Sequence, residues 1–390
     1  MSVVEKRPWI PTERQALLVR SALLEREPAI DAWNRWNATG GLERIDDGSS
    51  ALLPIVYRNL AGYGVSDSAL KRAQQAYKTT WLENERRFHE IAAVLEALNA
   101  AGIETMILKG AALALLYYRD LGLRSMGDVD LLVHPRQLHE ALAVLRDAGF
   151  CIVGRPPELL TDVYLFSRKA INLASAGMSM LDLHWRAIQE VRSESEEKAF
   201  WDGATTVSLH DVPTQAMSAA DQVLHVCEHE TRWCPSPLPR WMVDLVMIFR
   251  VAGDAFDSDR TLDRARSLEL VSPLAEALEC LDTVVPHEVP QELLQGVRLA
   301  RATRRDRRDY EARCRRPGPL QTLRDEYRVH CDRTVDQSRI RRCLGFLQHV
   351  QALWGLERLW QLVPRLWMWV WHTACRIVSE SDGRAHGGQR

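Results

Sequence analysis

The chain has no uninterrupted apolar run long enough to cross a membrane, no short recurring cysteine spacing, and no dominant charge. Its most apolar segment, LWGLERLWQLVPRLWMWVWHTACRIV (353–378), is interrupted by Glu357, Arg358, Gln361 and Arg365 and broken by Pro364. A spanning helix needs about 20 mostly apolar residues, so this segment reads instead as amphipathic helix around the proline. Trp354, Trp360, Trp367 and Trp371 are expected to pack onto the domain, with membrane-surface or partner-helix contact as the alternative use of such rings. The eight cysteines are scattered, and the start, MSVVEKRPW, has no apolar leader. Both features lead to the expectation of free thiols in a reducing cytoplasm. With 50 basic and 52 acidic residues, the formal charge of -2 gives no overall pull toward nucleic acid or anionic lipid. The one basic run, RATRRDRRDYEARCRR (301–316), holds a single aromatic, Tyr310. It reads as a solvated, ion-paired helix face, an RNA or phosphate patch being the alternative. Internal repeats are absent.

What the chain does have is enough length, 390 residues, for two or three domains with a sizeable core. The first hundred residues read as helix, with Thr12 capping RQALLVRSALL and a loop at DDGSS (46–50). A long helix is expected from about Asp67 to Ala101, with Leu70, Ala73, Tyr77, Trp81, Phe88, Ile91, Leu95 and Leu98 mostly on one face and Gly102 as its stop. Strand and helix then alternate. ETMILKG (104–110) reads as a strand, AALALLYY as a short helix, DVDLLVH as a second strand and PRQLHEALAVLRDAGF as a helix. CIVGR, VYLFSR, INLAS and MSMLDLHWR are further strand candidates. Strands adjacent in sequence argue for an α+β fold with a mixed sheet and helices packed on it. After about Asp211 the pattern is helical again, with SAADQVLHVCEHE capped by Ser218 and PRWMVDLVMIFRVAG following. The expected organisation is a helical region at 1–101, a catalytic core at 102–212, a helical domain at 213–380 and a disordered tail at 381–390.

The chemistry is suggested by D-V-D at the head of the second strand. Alternate strand residues share a face, so Asp128 and Asp130 point the same way. Two carboxylates side by side on an apolar strand repel each other and lose solvation unless a cation sits between them. Mg²⁺ prefers such hard oxygen ligands, completed by water and substrate phosphates. Two such ions about 3.5–4 Å apart can clamp the attacking and leaving oxygens of a phosphoryl-type displacement. Asp182, isolated among Met180, Leu181 and Leu183, repeats the anomaly and offers a third carboxylate. Lys109 and Gly110 close the first strand and open a helix, where glycine permits close backbone approach and the helix start favours anions. Arg124 is a candidate phosphate clamp through its planar fork of donors. His184 shares the face of Asp182 and is a candidate contact to nucleotide or acceptor. His225 and His229, at i and i+4, invite a zinc reading together with Cys227 and Cys234. Cys227 points elsewhere and no second close pair follows, so packed polar core residues are expected there.

The order strand, glycine, helix, D-x-D strand and later aspartate strand resembles the polymerase-β-type nucleotidyltransferase superfamily. The wording AAGIETMILKGAALA, RSMGDVDLLV, LDLHW, LHVCEHE and RWMVDL is similar to the large uncharacterised bacterial nucleotidyltransferase family with an LKG…R…DxDLLV…DLHW pattern. The resemblance covers roughly residues 85–250. It implies Asp128 and Asp130 as metal ligands, Asp182 as the third carboxylate that helps deprotonate the acceptor or holds the second ion, and Gly110 as the phosphate-loop glycine. The superfamily's usual loop is Gly-Gly or Gly-Ser; here Ala111 follows Lys109-Gly110, with no hydroxyl for the triphosphate, and Lys109 is the candidate to compensate. The implied activity is Mg²⁺-dependent transfer of a nucleotidyl group from an NTP, ATP first, to an acceptor hydroxyl with pyrophosphate release. Acceptors in view are a small metabolite, a peptide or protein, and RNA such as a tRNA end. The alternatives are a nucleotide-binding scaffold on a degenerate fold and kinase-type transfer of the γ-phosphate.

Overall fold

In the computed structural model, residues 7–368 are described, apart from Arg155, Glu190, Arg192, Pro235, Ser236, Pro317 and Leu366. Trp371 and the tail at 381–390 lie outside the described residues. The run TMIL (β1, Thr105–Leu108) is buried at every position, and DVDLLV (β2, Asp128–Val133) is buried from Val129 onward. Strands without a solvated face belong in the middle of a covered sheet, and there they lie. The remaining strands are β3 (Cys151–Ile152), β4 (Ala170–Ala174), β5 (Met180–His184), β6 (Thr205–Leu209) and β7 (Val212–Ala216). The seven form one sheet in the order β3-β4-β5-β2-β1-β7-β6. β2 runs antiparallel to β1 and parallel to β5, and β1 runs parallel to β7. The fold is therefore α+β with a mixed sheet.

Three local expectations change. VYLFSR is not a strand: Asp162–Ser167 is a short helix whose first turn is capped by the Thr161 hydroxyl. Its aromatic and β-branched residues favour a strand, and the cap with the following turn overrides that weak preference. DDGSS is not an open loop, because Asp46 accepts from the Ser49 N–H and closes the helical turn Asp47–Ser50. The hairpin β6–β7 was not expected from the sequence. Its turn residues His210 and Asp211 both have positive φ, 46° and 67°. Tight hairpins favour that conformation, which is usually signalled by Asn-Gly rather than His-Asp.

The long helix spans Ser68–Ala100, starts on the Asp67 carboxylate and is followed by Gly102 at φ +72°. Leu70, Ala73, Phe88, Ile91, Leu95 and Leu98 are buried on it, whereas Trp81 is 44% exposed and lies off the packed stripe. Its polar contribution is Asn84, fully buried, which donates to the carbonyls of Leu121 and Arg124 at 2.7 Å each. The segment leading into β2 is thereby fixed from behind. Gly122 in the same segment packs on Tyr77, where a Cβ would come within 2.3 Å of the ring.

Chain contacts divide the protein into two compact units, one ending at Cys151 and resuming over Ala170–Arg315, the other comprising 152–169 and the chain from Arg316 onward. The first holds the sheet. In it the basic run is the helix Arg304–Cys314. Its Asp306 is buried and accepts from the backbone N–H groups of Val271 and Ser272, and Tyr310 donates to Glu276. The second unit is built on helices Pro319–Arg333 and Arg339–Leu353. There Arg168 pairs with Glu326 at 2.7 Å. Trp360 and Trp367 are 64% and 66% exposed, against the expectation that they pack inward. Among the described residues, no helix is long and apolar enough to cross a membrane.

Candidate active site

Asp130 and Asp182 stand directly opposite each other in the β2–β5 register, and Leu132 stands opposite His184. Parallel pairing in this register carries both carboxylates to one face, and alternation along β5 brings His184 to the same side. The imidazole, fully buried, donates from Nε2 to Asp130 Oδ1 at 3.0 Å and Asp182 Oδ2 at 3.1 Å. One N–H therefore holds the two carboxylates together. Ligand atoms of Asp130, Asp182 and His184 lie within 4.8 Å of one another, and no other such group of three occurs among the described residues. In particular, His225, Cys227, His229 and Cys234 do not form one.

The residues fit a divalent cation on one specific observation. Asp182 Oδ1 is buried and has no hydrogen-bond partner among the described residues. An orphaned carboxylate oxygen beside a second carboxylate is costly in the protein alone and is satisfied by a hard cation. Because His184 Nε2 faces two carboxylate oxygens, the imidazole orients the ligands and is not itself offered to the metal. The described contacts of His184 Nε2 are to these two carboxylates.

Asp128 lies one alternation before Asp130, at the solvent edge of β2. Its carboxyl is pushed above its ordinary range by burial and by the charges of Asp130 and Asp182, with Lys109 opposing. Asp130 shows the opposite balance. Burial alone would raise it, but hydrogen bonding from His184 and the Lys109 ammonium hold it well below the usual carboxylate range. Lys109 forms an ion pair with Asp130 and has φ +44°, an uncommon conformation for a residue with a Cβ. It begins the short helix Lys109–Leu113.

Gly110 is required by crowding. A Cβ there would come within 2.6 Å of Arg124 Nη1 and 2.8 Å of Met126 Cγ. Arg124, the candidate phosphate clamp, lines the cavity described below; its Nε and Nη2 donate to Asp244 at 2.8 and 2.9 Å, and Tyr118 donates to the same carboxylate at 2.7 Å. Burial would raise Asp244, but the Arg124 guanidinium holds it low and charged. Arg240 reaches the same segment, donating to the Ser125 carbonyl at 2.8 Å.

Between these groups lies a cavity of about 150 Å³. Lys109, Gly110, Asp128 and Asp130 line its sheet side, and helices Ala219–Glu230 and Arg240–Ala252 form the facing wall with Gln222, His225, His229, Glu230, Arg240 and Asp244. Asp244 and Glu230 were not singled out from the sequence. A carboxylate isolated in the apolar stretch RWMVDLVMIF was the available signal, the same anomaly as at Asp182 but on a helix.

Glu197, buried on the helix Glu194–Asp202, accepts from the Ala187 N–H at 3.4 Å. Burial pushes its carboxyl up to about 7, from an ordinary 4.5, against the pull of that hydrogen bond and of Arg186. Between those two pH values the folded chain binds more protons than the unfolded one, so stability falls as pH rises through the window. The expected loss is on the order of 3 kcal/mol, complete above pH 7. In Glu197→Gln, urea midpoints measured from pH 4.5 to 8 are expected to lose this slope; an unchanged slope would place the titration elsewhere.

A model of the family described as uncharacterised nucleotidyltransferase matches residues 49–286, more than half of the chain. No curated protein matches the sequence. Among solved structures, the solution structure of the antibiotic-resistance factor ANT(2'')-Ia is 13% identical, with 50% of this chain and 98% of that chain covered, at a TM-score of 0.34. An antigenic nucleotidyltransferase-like protein from Paracoccidioides brasiliensis is 17% identical, covering 55% and 92% at 0.37. ANT(2'')-Ia in complex with adenylyl-2''-tobramycin is 12% identical, covering 46% and 95% at 0.31.

Proposed function

We propose, because the chain belongs to the uncharacterised nucleotidyltransferase family, that it moves a nucleoside monophosphate from an NTP to an acceptor hydroxyl and releases pyrophosphate. The observation that carries this reading is the pairing of Asp130 with Asp182 across β2 and β5, with Asp182 Oδ1 left unpartnered. Mg²⁺ held by Asp128, Asp130 and Asp182 would neutralise the triphosphate and the charge that develops as pyrophosphate departs. The chain's own groups do the rest. Asp182 takes the proton of the acceptor hydroxyl, whose oxygen forms a bond to the α-phosphorus. The bridging P–O bond to the β-phosphate breaks, and its electron pair leaves on pyrophosphate. His184 keeps both carboxylates in register, so little reorganisation is needed during transfer. Lys109, at the cavity wall beside Asp130, supplies positive charge next to the Gly110 backbone, where phosphate would approach. ATP is the first nucleotide to test, and the acceptor belongs to one of three classes: a small metabolite, a peptide or protein, or RNA.

The test runs α-labelled and γ-labelled ATP in parallel, with Mg²⁺ and with metabolite, peptide and RNA fractions as acceptors. Label from the α position is expected in the product, with one pyrophosphate released per transfer. Label from the γ position with ADP release would show kinase-type transfer and contradict the proposal.

A further inference from the structure

The formal charge of -2 is unevenly divided along the chain. The second compact unit, 152–169 with the chain from Arg316 onward, carries 15 of the 50 basic residues and 9 of the 52 acidic ones. It is the smaller unit, yet it holds 11 of the 17 large hydrophobic residues that are exposed among the described residues. Exposed apolar side chains concentrated among surplus positive charge mark an interaction surface.

The helix Arg339–Leu353 orders these features. His349, Val350 and Leu353 are buried and define its inner face. Ile340, Leu344 and Leu347, at i, i+4 and i+7, form a stripe on the opposite side and are 74%, 71% and 54% exposed. Arg339 and Arg341 stand one residue either side of Ile340 and so flank the stripe. An open groove runs beside it, with Leu344, Arg341, Arg333, Thr334, Gln337 and Gln348 on its wall and no carboxylate among the described residues that line it. Arg333, Arg339 and Arg341 are exposed, and none has a carboxylate partner among the described residues.

The chemistry of this face selects what covers it. A second copy would set arginine against arginine. Single-stranded RNA would find phosphate contacts but no ring to stack on, since the stripe is aliphatic. An anionic bilayer meets both parts: acyl chains bury the stripe, and headgroup phosphates take the arginine forks and the amide donors of the groove. Trp360 and Trp367, exposed in the same unit, are suited to the headgroup level. We infer that the outer face of Arg339–Leu353 is a docking surface for an anionic phospholipid membrane, lying along the headgroups rather than crossing them. None of its residues belongs to the carboxylate site, so its test does not depend on nucleotide transfer.

The test is flotation of the full chain with vesicles of phosphatidylcholine alone, or of phosphatidylcholine and phosphatidylglycerol in equal parts, at low and high salt. The wild type is expected to float with the anionic vesicles, to stay behind with the neutral ones, and to bind less as salt rises. Arg339→Ala with Arg341→Ala is expected to weaken binding to the anionic vesicles about thirtyfold. Leu344→Ser with Leu347→Ser is expected to weaken it about tenfold. All four residues are exposed, so both variants are expected to melt with the wild type. Leu344→Gln replaces the serine pair if that pair does not fold. Inorganic phosphate is expected to displace no more protein than chloride at the same ionic strength; full displacement would make the groove a site for free phosphate and overturn the membrane assignment. Absence of binding to the anionic vesicles, equal binding to the neutral ones, or variants that bind as the wild type does would overturn it too. A dimer that the serine pair dissolves, with no vesicle binding, would replace the membrane by a second copy.

Discussion

Asp182→Asn is expected to lower nucleotidyl transfer by roughly 10²–10⁴-fold, the range for loss of a positioned acid-base group, while leaving the fold intact. The two effects are separable because of where the residue sits. The Asp182 side chain is 20% exposed, and asparagine has nearly the same shape. Its amide oxygen can still accept from His184 Nε2, the bond that ties Asp182 to Asp130. What is lost is the negative charge and the second carboxylate oxygen, the one without a partner. In the metal-free protein this loss removes a repulsion, since Asp182 is one of the charges that push Asp128 up. Stability is therefore expected to hold or rise as activity falls, the exchange typical of a site strained for function. Thermal melts without metal and pyrophosphate release with Mg²⁺, measured on the same preparations, check both directions. A variant that keeps its activity would remove Asp182 from the mechanism.

Asp244→Ala is expected to cost about 3–5 kcal/mol of folding stability, because it strands the Arg124 guanidinium in the interior. Asp244 receives three hydrogen bonds, two from Arg124 and one from Tyr118, and both members of the ion pair are buried. Removing one partner leaves a desolvated charge with no compensation. Replacing both with apolar residues does not, so Arg124→Met with Asp244→Leu is expected to recover most of the loss. Urea denaturation of the wild type and the two variants measures this directly. A double variant as unstable as the single would show that the packing of the guanidinium matters more than its charge. The pair also has a local consequence: Arg124 Nη1 is the nearest atom to where a Cβ at position 110 would be. A displaced guanidinium would intrude on the glycine where phosphate is proposed to approach.

The legibility of the site follows from the physics of each residue. Asp128, Asp130 and Asp182 stood out in the sequence because a carboxylate in an apolar strand is anomalous and strand alternation is a local rule. That Asp130 and Asp182 face each other could not be read in this way, since register between strands some fifty residues apart is set by the whole sheet. For the same reason the fork of Arg124 could be recognised but not its partner, 120 residues away. Asp244 carried the same signal as Asp182, yet an acidic residue in a helix is common enough to pass unnoticed. Much of the helical framework was legible, because the 3.6-residue period and caps such as Thr12, Asp67 and Ser218 are local. The hairpin β6–β7 was not, because VPTQA carries a proline and two polar residues, and because β7 is held by pairing with β1 rather than by its own propensity. The exposed Trp360 and Trp367 mark the other limit, since an amphipathic pattern does not say what covers it.

The most direct test of the central claim is calorimetric binding of each NTP, with and without Mg²⁺, to the wild type and to a folded Asp128→Asn, Asp130→Asn double variant. The proposed site predicts binding that depends on Mg²⁺ and disappears in the double variant. Failure of the wild type to bind any NTP in the presence of Mg²⁺, or equal binding by the two proteins, would contradict it.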